Sequence, residues 1–356
     1  MTQKKIGWSG QSIQIWDLAV GLRERGHEVF LVAQPGSAFS EKARAAGFPL
    51  FEFKMKGWAQ LPTAVRLASL LRKHKIDLLH CHDARDHQIG CLAARLGGAR
   101  ALVRTKHNML PLRNRFSRLV YGPLTSHLIS VSDAVKEMLV SCGMPPEHVT
   151  TVYNFADTTK FMPKPADPKL KAALGIPDRA RVVGTVGRLH ISKGIAELIA
   201  AIPAVVKQCD DARFLLVGGR QEQWEPLAEE LGIRDRIVFT GSVSNVTDYL
   251  ALMDVAVFPT YREAFGLAIL EAMATRRAVA ASRVGAVPEI IEHETHGLLF
   301  EPRSAESMAQ AVIRLLEDAE LRARVATAAF EKASVTFTRD RCLSGTEKAY
   351  ELALKN

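Results

Sequence analysis

The sequence predicts an α/β protein built from two doubly wound parallel units in series. Three observations carry that prediction. Short β-branched or apolar runs alternate with helix-length amphipathic segments almost throughout the chain. The alternation falls into two series separated by a proline-bearing stretch. At 356 residues the chain also exceeds the usual size of one compact domain.

Taken in order, the first series of strands is "HEVFLVAQ", "IDLLHCH", "RALVRTKH" and "SHLISVS", each followed by a plausible helix. This gives a first domain over residues 1–163. Residues 164–177 form the expected hinge, since Pro163, Pro165, Pro168 and Pro177 interrupt regular structure around it. The second series is "RVVGTVGRL", "ARFLLVGG", "RIVFTGS", "DVAVFPT" and "RAVAAS", within a second domain over 178–337. Helical stretches follow at 304–333, and 338–356 reads as a last helix that packs through Leu343, Tyr350, Leu352 and Leu354.

Composition is that of a globular protein, with 47% apolar and 24% charged residues. The five cysteines are scattered and form no C-x-x-C pair, which fits reduced thiols and a cytoplasmic protein. No run approaches the roughly 18 apolar residues that span a bilayer, so no membrane crossing is expected. The net charge is +9, and all of the excess lies in residues 1–160, which carry 22 Lys and Arg against 12 Asp and Glu. A basic face attracts nucleic acid, anionic lipid or a phosphorylated substrate, and a merely basic soluble surface fits as well.

Parallel sheets bind ligands outside the carboxyl ends of their strands, so the chemistry is expected on strand-to-helix loops and in a cleft between two such domains. In "REAFGLAILEA", Glu263 falls on a loop and Phe265, Gly266 and Leu267 fall at a helix start, where unpaired amides can bind sugar hydroxyls or an anion. Glu271, two turns on, can accept from paired ribose hydroxyls, and Glu263 can do so from a hexose. Spacing alone also fits two solvated glutamates. In "VGTVGRLHISKG", Arg188 and Lys193 flank a helix start suited to a diphosphate. The stretch has neither the Walker form nor G-x-G-x-x-G, which disfavours a nucleoside triphosphatase or dinucleotide enzyme; a solvated Arg and Lys stays open.

In the first half, "LLHCHDARDH" places His80, His82, Asp83, Asp86 and His87 at a strand end, and "VRTKHN" places His107 and Asn108 at the next. No separated ligand pair completes a zinc pattern, so polar residues lining a cleft are the reading, with a satisfied core histidine as the alternative for His107. Gly10 stands before an amphipathic helix, another place for phosphate to meet backbone amides. Arg113, Arg115 and Arg118 interleave with Phe116, Leu119, Val120 and Tyr121, which suits either an anionic membrane surface or a basic surface helix. No pattern for reading DNA stands out, so nucleic acid is not an expected partner.

Together, "VGRLHISKG", "REAFGLAILEAMA", "GAVPEIIE", "GLLF" and "VYNFADTTKF" resemble the signature of the retaining nucleotide-sugar glycosyltransferases of family 4, over essentially the whole chain. The resemblance implies the GT-B fold, two Rossmann-like domains facing across a cleft, with the C-terminal helix rejoining the first. It implies that Arg188 and Lys193 hold a donor diphosphate, Glu271 the ribose, and Glu263 with the backbone of Phe265, Gly266 and Leu267 the sugar. Gly10 would support the phosphates, Gly241, Ser242, Val243 and Ser244 the base, and His107 the reacting centre. His107, Glu263, Arg188 and Lys193 are thus the expected catalytic group, and His82, Asp83, Asn108 and Arg113 the acceptor side. The sequence departs from the family pattern in its short first strand "KKIGW", in Ser9-Gly10 where G-G is usual, and in Phe155 of "NFAD".

The expected function is retaining transfer from a UDP- or GDP-sugar to a glycan or lipid-linked acceptor, without a metal or other cofactor. "LVRTKHN" and "NRFSRLVYGPLTSH" resemble bacterial members that build lipopolysaccharide or other surface glycans, which implies peripheral contact with the inner face of an anionic membrane. A sugar-nucleotide epimerase, a phosphorylase and a non-catalytic sugar-nucleotide-binding protein are the alternatives.

Overall fold

The computed structural model describes residues 10–55 and 60–355. The strand expected at "KKIGW" and Ser9 lie outside the described residues. The chain divides into two compact units, Met1–Asn154 with Arg339–Asn356 and Phe155–Thr338.

In the first unit, β1 (Leu31–Ala33) and β2 (Leu50–Glu52) form a parallel pair. A four-stranded parallel sheet follows in the order β3 (Leu78–Cys81), β4 (Ala101–Lys106), β5 (His127–Ser130) and β6 (Val149–Thr151). Helices Gln60–Lys73 and Ala84–Gly97 pack together over Phe53, Leu67, Leu71 and Ile89. Every residue of β4 is buried, including Arg104 at 1% exposure. Such a continuous run is what a strand covered on both faces requires.

The helix Arg339–Lys355 lies against the helix Gly10–Glu24 and against β4 and β5. Arg25 and His27 both reach Glu347, at 2.5 and 3.0 Å, and Arg339 reaches Glu24 at 2.7 Å. Leu343 is buried as expected, but Leu352 is 36% exposed. Ala349 and Ala353 fill the inward positions around it, because small residues let the helix approach the strands closely.

The second unit is a six-stranded parallel sheet of β7 (Arg181–Val186), β8 (Ala212–Val217), β9 (Ile237–Gly241), β10 (Val255–Phe258), β11 (Ala278–Ser282) and β12 (Leu298–Phe300). The strand order is β9-β8-β7-β10-β11-β12, so the winding reverses between β7 and β10. Only Val255 and Ala256 of β10 pair with β7, opposite Val183 and Gly184, and the two strands part beyond them. A crevice at such a switch point is where this topology binds ligands.

The helical stretch expected at 304–333 is two helices, Ala305–Glu317 and Ala319–Thr336. Asp318 ends the first and caps the second by accepting from Leu321 N at 2.8 Å. Residues 164–177 lie inside the second unit. They carry a short helix, Pro168–Ala173, and are tied down by Lys164, which pairs with Asp248, and by buried Ile176.

Candidate functional site

Two loops leave the switch point of the second unit, Gly187–Lys193 after β7 and Pro259–Gly266 after β10. Leu189 anchors the first in the core, and Trp224 Nε1 donates to the Leu189 carbonyl at 3.0 Å. Arg188 is thereby left exposed on the loop. His190 caps the single turn Ile191–Lys193, its Nδ1 accepting from Ser192 N at 3.2 Å. Gly194 then turns the chain with φ +66° into the helix Ile195–Gln208. A Cβ there would stand 1.9 Å from the Pro259 carbonyl oxygen, so the two loops touch only because the residue is glycine.

The contact places Lys193 Nζ 2.7 Å from Glu263 Oε2. Tyr261 N donates to the Ser192 carbonyl at 3.1 Å, and Tyr261 Oη donates to Glu197 at 2.6 Å beneath the Arg303 guanidinium. The loop after β11 closes on the other side, where Ala286 N donates to the Glu263 carbonyl at 3.0 Å. Gly285 makes that approach possible, since a Cβ there would meet the same oxygen at 2.1 Å. Glu263 is therefore held through its backbone by one loop and through its carboxylate by another.

Phe265 is 3% exposed and packs edge-on against Phe337, with centroids 5.7 Å apart. Its side chain is an anchor, leaving only its backbone for a ligand. Gly266 begins the helix Leu267–Ala274, whose first amides are available at that end. Glu271 sits on this helix, partly buried, with Lys160 as the nearby cation. Burial pushes its carboxyl up to about 7, opposed by the charge of Lys160. At the end of β9, Gly241 adopts φ +66° and bridges Gly218, and Ser242, Val243 and Ser244 continue as a partly exposed loop.

In the first unit, the ends of β3 and β4 bring three imidazoles together. His80 is bonded at both nitrogens, to Tyr350 Oη at 2.8 Å and Thr105 Oγ1 at 2.7 Å. His82 Nδ1 lies 3.1 Å from His107 Nε2, and the His80 and His82 rings are 4.1 Å apart. Burial, reinforced by Arg104, lowers His80 and His107 to about 3, and burial with the neighbouring histidines holds His82 well below its usual value. Asp86 accepts from His82 N at 3.1 Å, Asp83 N at 2.8 Å and Arg104 Nη1 at 3.4 Å. His87 points away to Thr125 at 2.7 Å. Among the described residues no three His, Cys, Asp or Glu side chains form a metal-binding group.

The other first-unit candidates are dispersed. Gly10 is the exposed first residue of its helix, and Asp83 precedes the helix Ala84–Gly97. Asn108 turns back to accept from Leu110 N at 3.2 Å, and Arg113 is exposed on the following loop.

The family model described as "Glycosyltransferase Family 4" matches residues 8–160, and "Glycosyl transferases group 1" matches residues 180–318. A GDP-mannose-dependent α-(1-6)-phosphatidylinositol monomannoside mannosyltransferase of Mycobacterium tuberculosis is 30% identical over 84% of this chain and 82% of its own. The chain belongs to glycosyltransferase family 4. The N-acetyl-α-D-glucosaminyl L-malate synthase of Bacillus anthracis is 28% identical over 98% of this family 4 glycosyltransferase and 95% of its own length. Anabaena HepE, solved with UDP, superposes with a TM-score of 0.86 at 24% identity over 96% of each chain, and the fold is GT-B.

Two contacts in this glycosyltransferase escaped the sequence reading. Tyr261 and Glu197 brace the Glu263 loop, and Tyr350 reaches His80 from the other end of the chain. Only a tyrosine directly after the "FPT" strand end marks the first of these in the sequence.

Proposed function

We propose that this glycosyltransferase transfers a sugar from a UDP- or GDP-linked donor to a hydroxyl of a glycan or lipid-linked acceptor, with retention of anomeric configuration. The observation that carries the reading is the meeting of Lys193 and Glu263 at 2.7 Å where the loops of β7 and β10 converge. A cation, a carboxylate and the start of the Leu267–Ala274 helix offer there the three chemistries a nucleotide-sugar demands. Arg188 and Lys193 take the diphosphate and serve in place of a metal. Glu271 takes the ribose, Glu263 with the backbone of Phe265 to Leu267 takes the sugar, and Gly241 to Ser244 take the base. Gly10 supports the phosphates. His107 bonds substrate hydroxyls, and His82, Asp83, Asn108 and Arg113 serve the acceptor.

A UDP- or GDP-linked donor is supported by the name of one relative, a GDP-mannose-dependent enzyme. The basic first half supports a phosphorylated or membrane-borne acceptor in the synthesis of lipopolysaccharide or another surface glycan, reached from the inner face of the membrane. No described helix is long and apolar enough to cross a membrane.

The test is calorimetric titration with UDP, GDP, ADP and their sugar conjugates, first with a chelator and then with magnesium, followed by transfer assays on any donor that binds. Metal-free binding that is lost in Arg188→Ala, with a product whose anomeric coupling matches the donor's, is the expected result. A folded protein that binds none of them overturns the reading, and an inverted product overturns retention. Sedimentation with anionic and neutral vesicles at two salt concentrations tests the membrane contact.

A further inference from the structure

We propose that His82 is a positioning residue for His107, the two rings forming one neutral unit that shares a single N–H. The inference rests on the reading that His107 bonds substrate hydroxyls. A ring-to-ring N···N contact of 3.1 Å is a hydrogen bond only when one nitrogen carries the proton and the other is bare. In the neutral pair this leaves the two outer nitrogens, His107 Nδ1 and His82 Nε2, complementary: one donates when the other accepts.

The surroundings hold His82 still. Its backbone N–H donates to Asp86 at 3.1 Å, and its carbonyl accepts from Gln11 Nε2 at 2.9 Å. Its ring lies 4.1 Å from that of His80, which is fixed at both nitrogens by Tyr350 and Thr105. With His82 immobile, the ring of His107 has one orientation that keeps the bond.

The charged groups facing the pair also keep it neutral. Arg104 is the buried cation, and Asp86, the carboxylate beside it, is already engaged by two backbone amides and by Arg104. His80 and Tyr350 contribute no charge that would hold an imidazolium. A neutral His107 offers a hydroxyl one donor or one acceptor, whereas a cationic ring would present donors at both nitrogens and could accept nothing.

Ring ¹⁵N NMR of the full-length protein, with His107 assigned through His107→Asn, reads the tautomer directly. Wild-type protein is expected to show one neutral His107 tautomer from pH 5.5 to 8. In His82→Leu the shifts should average between tautomers, and kcat at saturating donor should fall by about tenfold or more with donor KM changed less than about threefold. His82→Asn, whose amide can face His107 Nε2, should recover much of both signals. A single tautomer with wild-type kcat in His82→Leu overturns the proposal, as does a His107 imidazolium in the wild type at pH 6. The tautomer measurement decides the pairing even where no transfer is detected, so its failure is distinct from failure of the glycosyltransferase reading.

Discussion

Lys193 Nζ and Glu263 Oε2 stand 2.7 Å apart, each the other's counter-ion at the mouth of the β7–β10 crevice. A diphosphate that takes Lys193 must share it with Glu263 or release it. Both side chains keep part of their surface in solvent, so the pair itself is weakly stabilising and is readily exchanged for a ligand. Lys193→Ala should weaken nucleotide diphosphate binding by about 10- to 100-fold, the worth of a charge-assisted hydrogen bond. Glu263→Ala should leave the free nucleotide nearly as tight while lowering transfer. Calorimetry with nucleotide and with nucleotide-sugar separates the two effects, and equal losses in both variants would contradict the division of roles.

Glu271 ties the stability of the second unit to pH. Its carboxyl titrates near 7 in the fold against 4.5 in its ordinary setting, so its contribution to stability is complete below 4.5 and is lost as pH rises through 7. The difference amounts to at most about 3 kcal/mol at alkaline pH. Glu271→Gln should therefore raise Tm at pH 8.5 and leave it nearly unchanged at pH 4.5. If the ionised form holds the ribose, binding of a nucleotide-sugar releases a proton at pH 7 and tightens between pH 6 and 8. Titration in two buffers of different ionisation enthalpy measures that proton.

Gly194→Ala and Gly285→Ala should act alike although the residues are far apart in sequence. Each would push a methyl against a carbonyl oxygen, that of Pro259 or of Glu263, at a positive φ. A loss of about 2 kcal/mol or more in denaturant unfolding is expected for each, together with weaker nucleotide binding. Gly26→Ala is the control: its φ is also positive, but no atom lies within 4 Å of the added methyl, so only the smaller backbone cost of about 1 kcal/mol remains.

Tyr261→Phe removes a hydroxyl shared by both oxygens of Glu197 and leaves the ring under Arg303. The fold should survive with a loss of about 1 kcal/mol. Because Tyr261 braces the loop that carries Glu263, KM for the nucleotide-sugar should rise more than Kd for the free nucleotide. Unchanged kinetics would show that the Ser192 and Ala286 backbone bonds alone fix the loop.

The strands of the second unit were legible because each of β7, β8, β10 and β11 is a nearly continuous apolar run, the pattern of a sheet covered on both faces. β2, β6 and β12 were not anticipated: each is three residues and, unlike β1 within "VFLVA", stands in no longer apolar run. The loops after β7 and β10 could be placed from sequence, since a parallel sheet puts its ligand residues at strand ends. Their meeting at Lys193 and Glu263 could not, because it depends on strand order and on a glycine whose missing methyl is felt only across the crevice. The histidines of "LLHCH" and "RTKH" were visible as candidates, but the His82–His107 bond needs the β3–β4 register, and the Tyr350 contact joins residues 270 positions apart.

The helix Arg339–Lys355 belongs to the first unit, although the whole second unit precedes it in the chain. On the ribosome, residues 10–154 emerge early but lack the surface against which β4, β5 and the Gly10–Glu24 helix will pack. At roughly 5–20 residues per second, that half waits on the order of ten seconds or more for its last helix, while the second unit folds without interruption. Until Tyr350 arrives, His80 has one of its two hydrogen-bond partners. The first half to be made is thus the last to be finished, and a polypeptide released early carries a complete second unit beside a first unit still missing one of its helices.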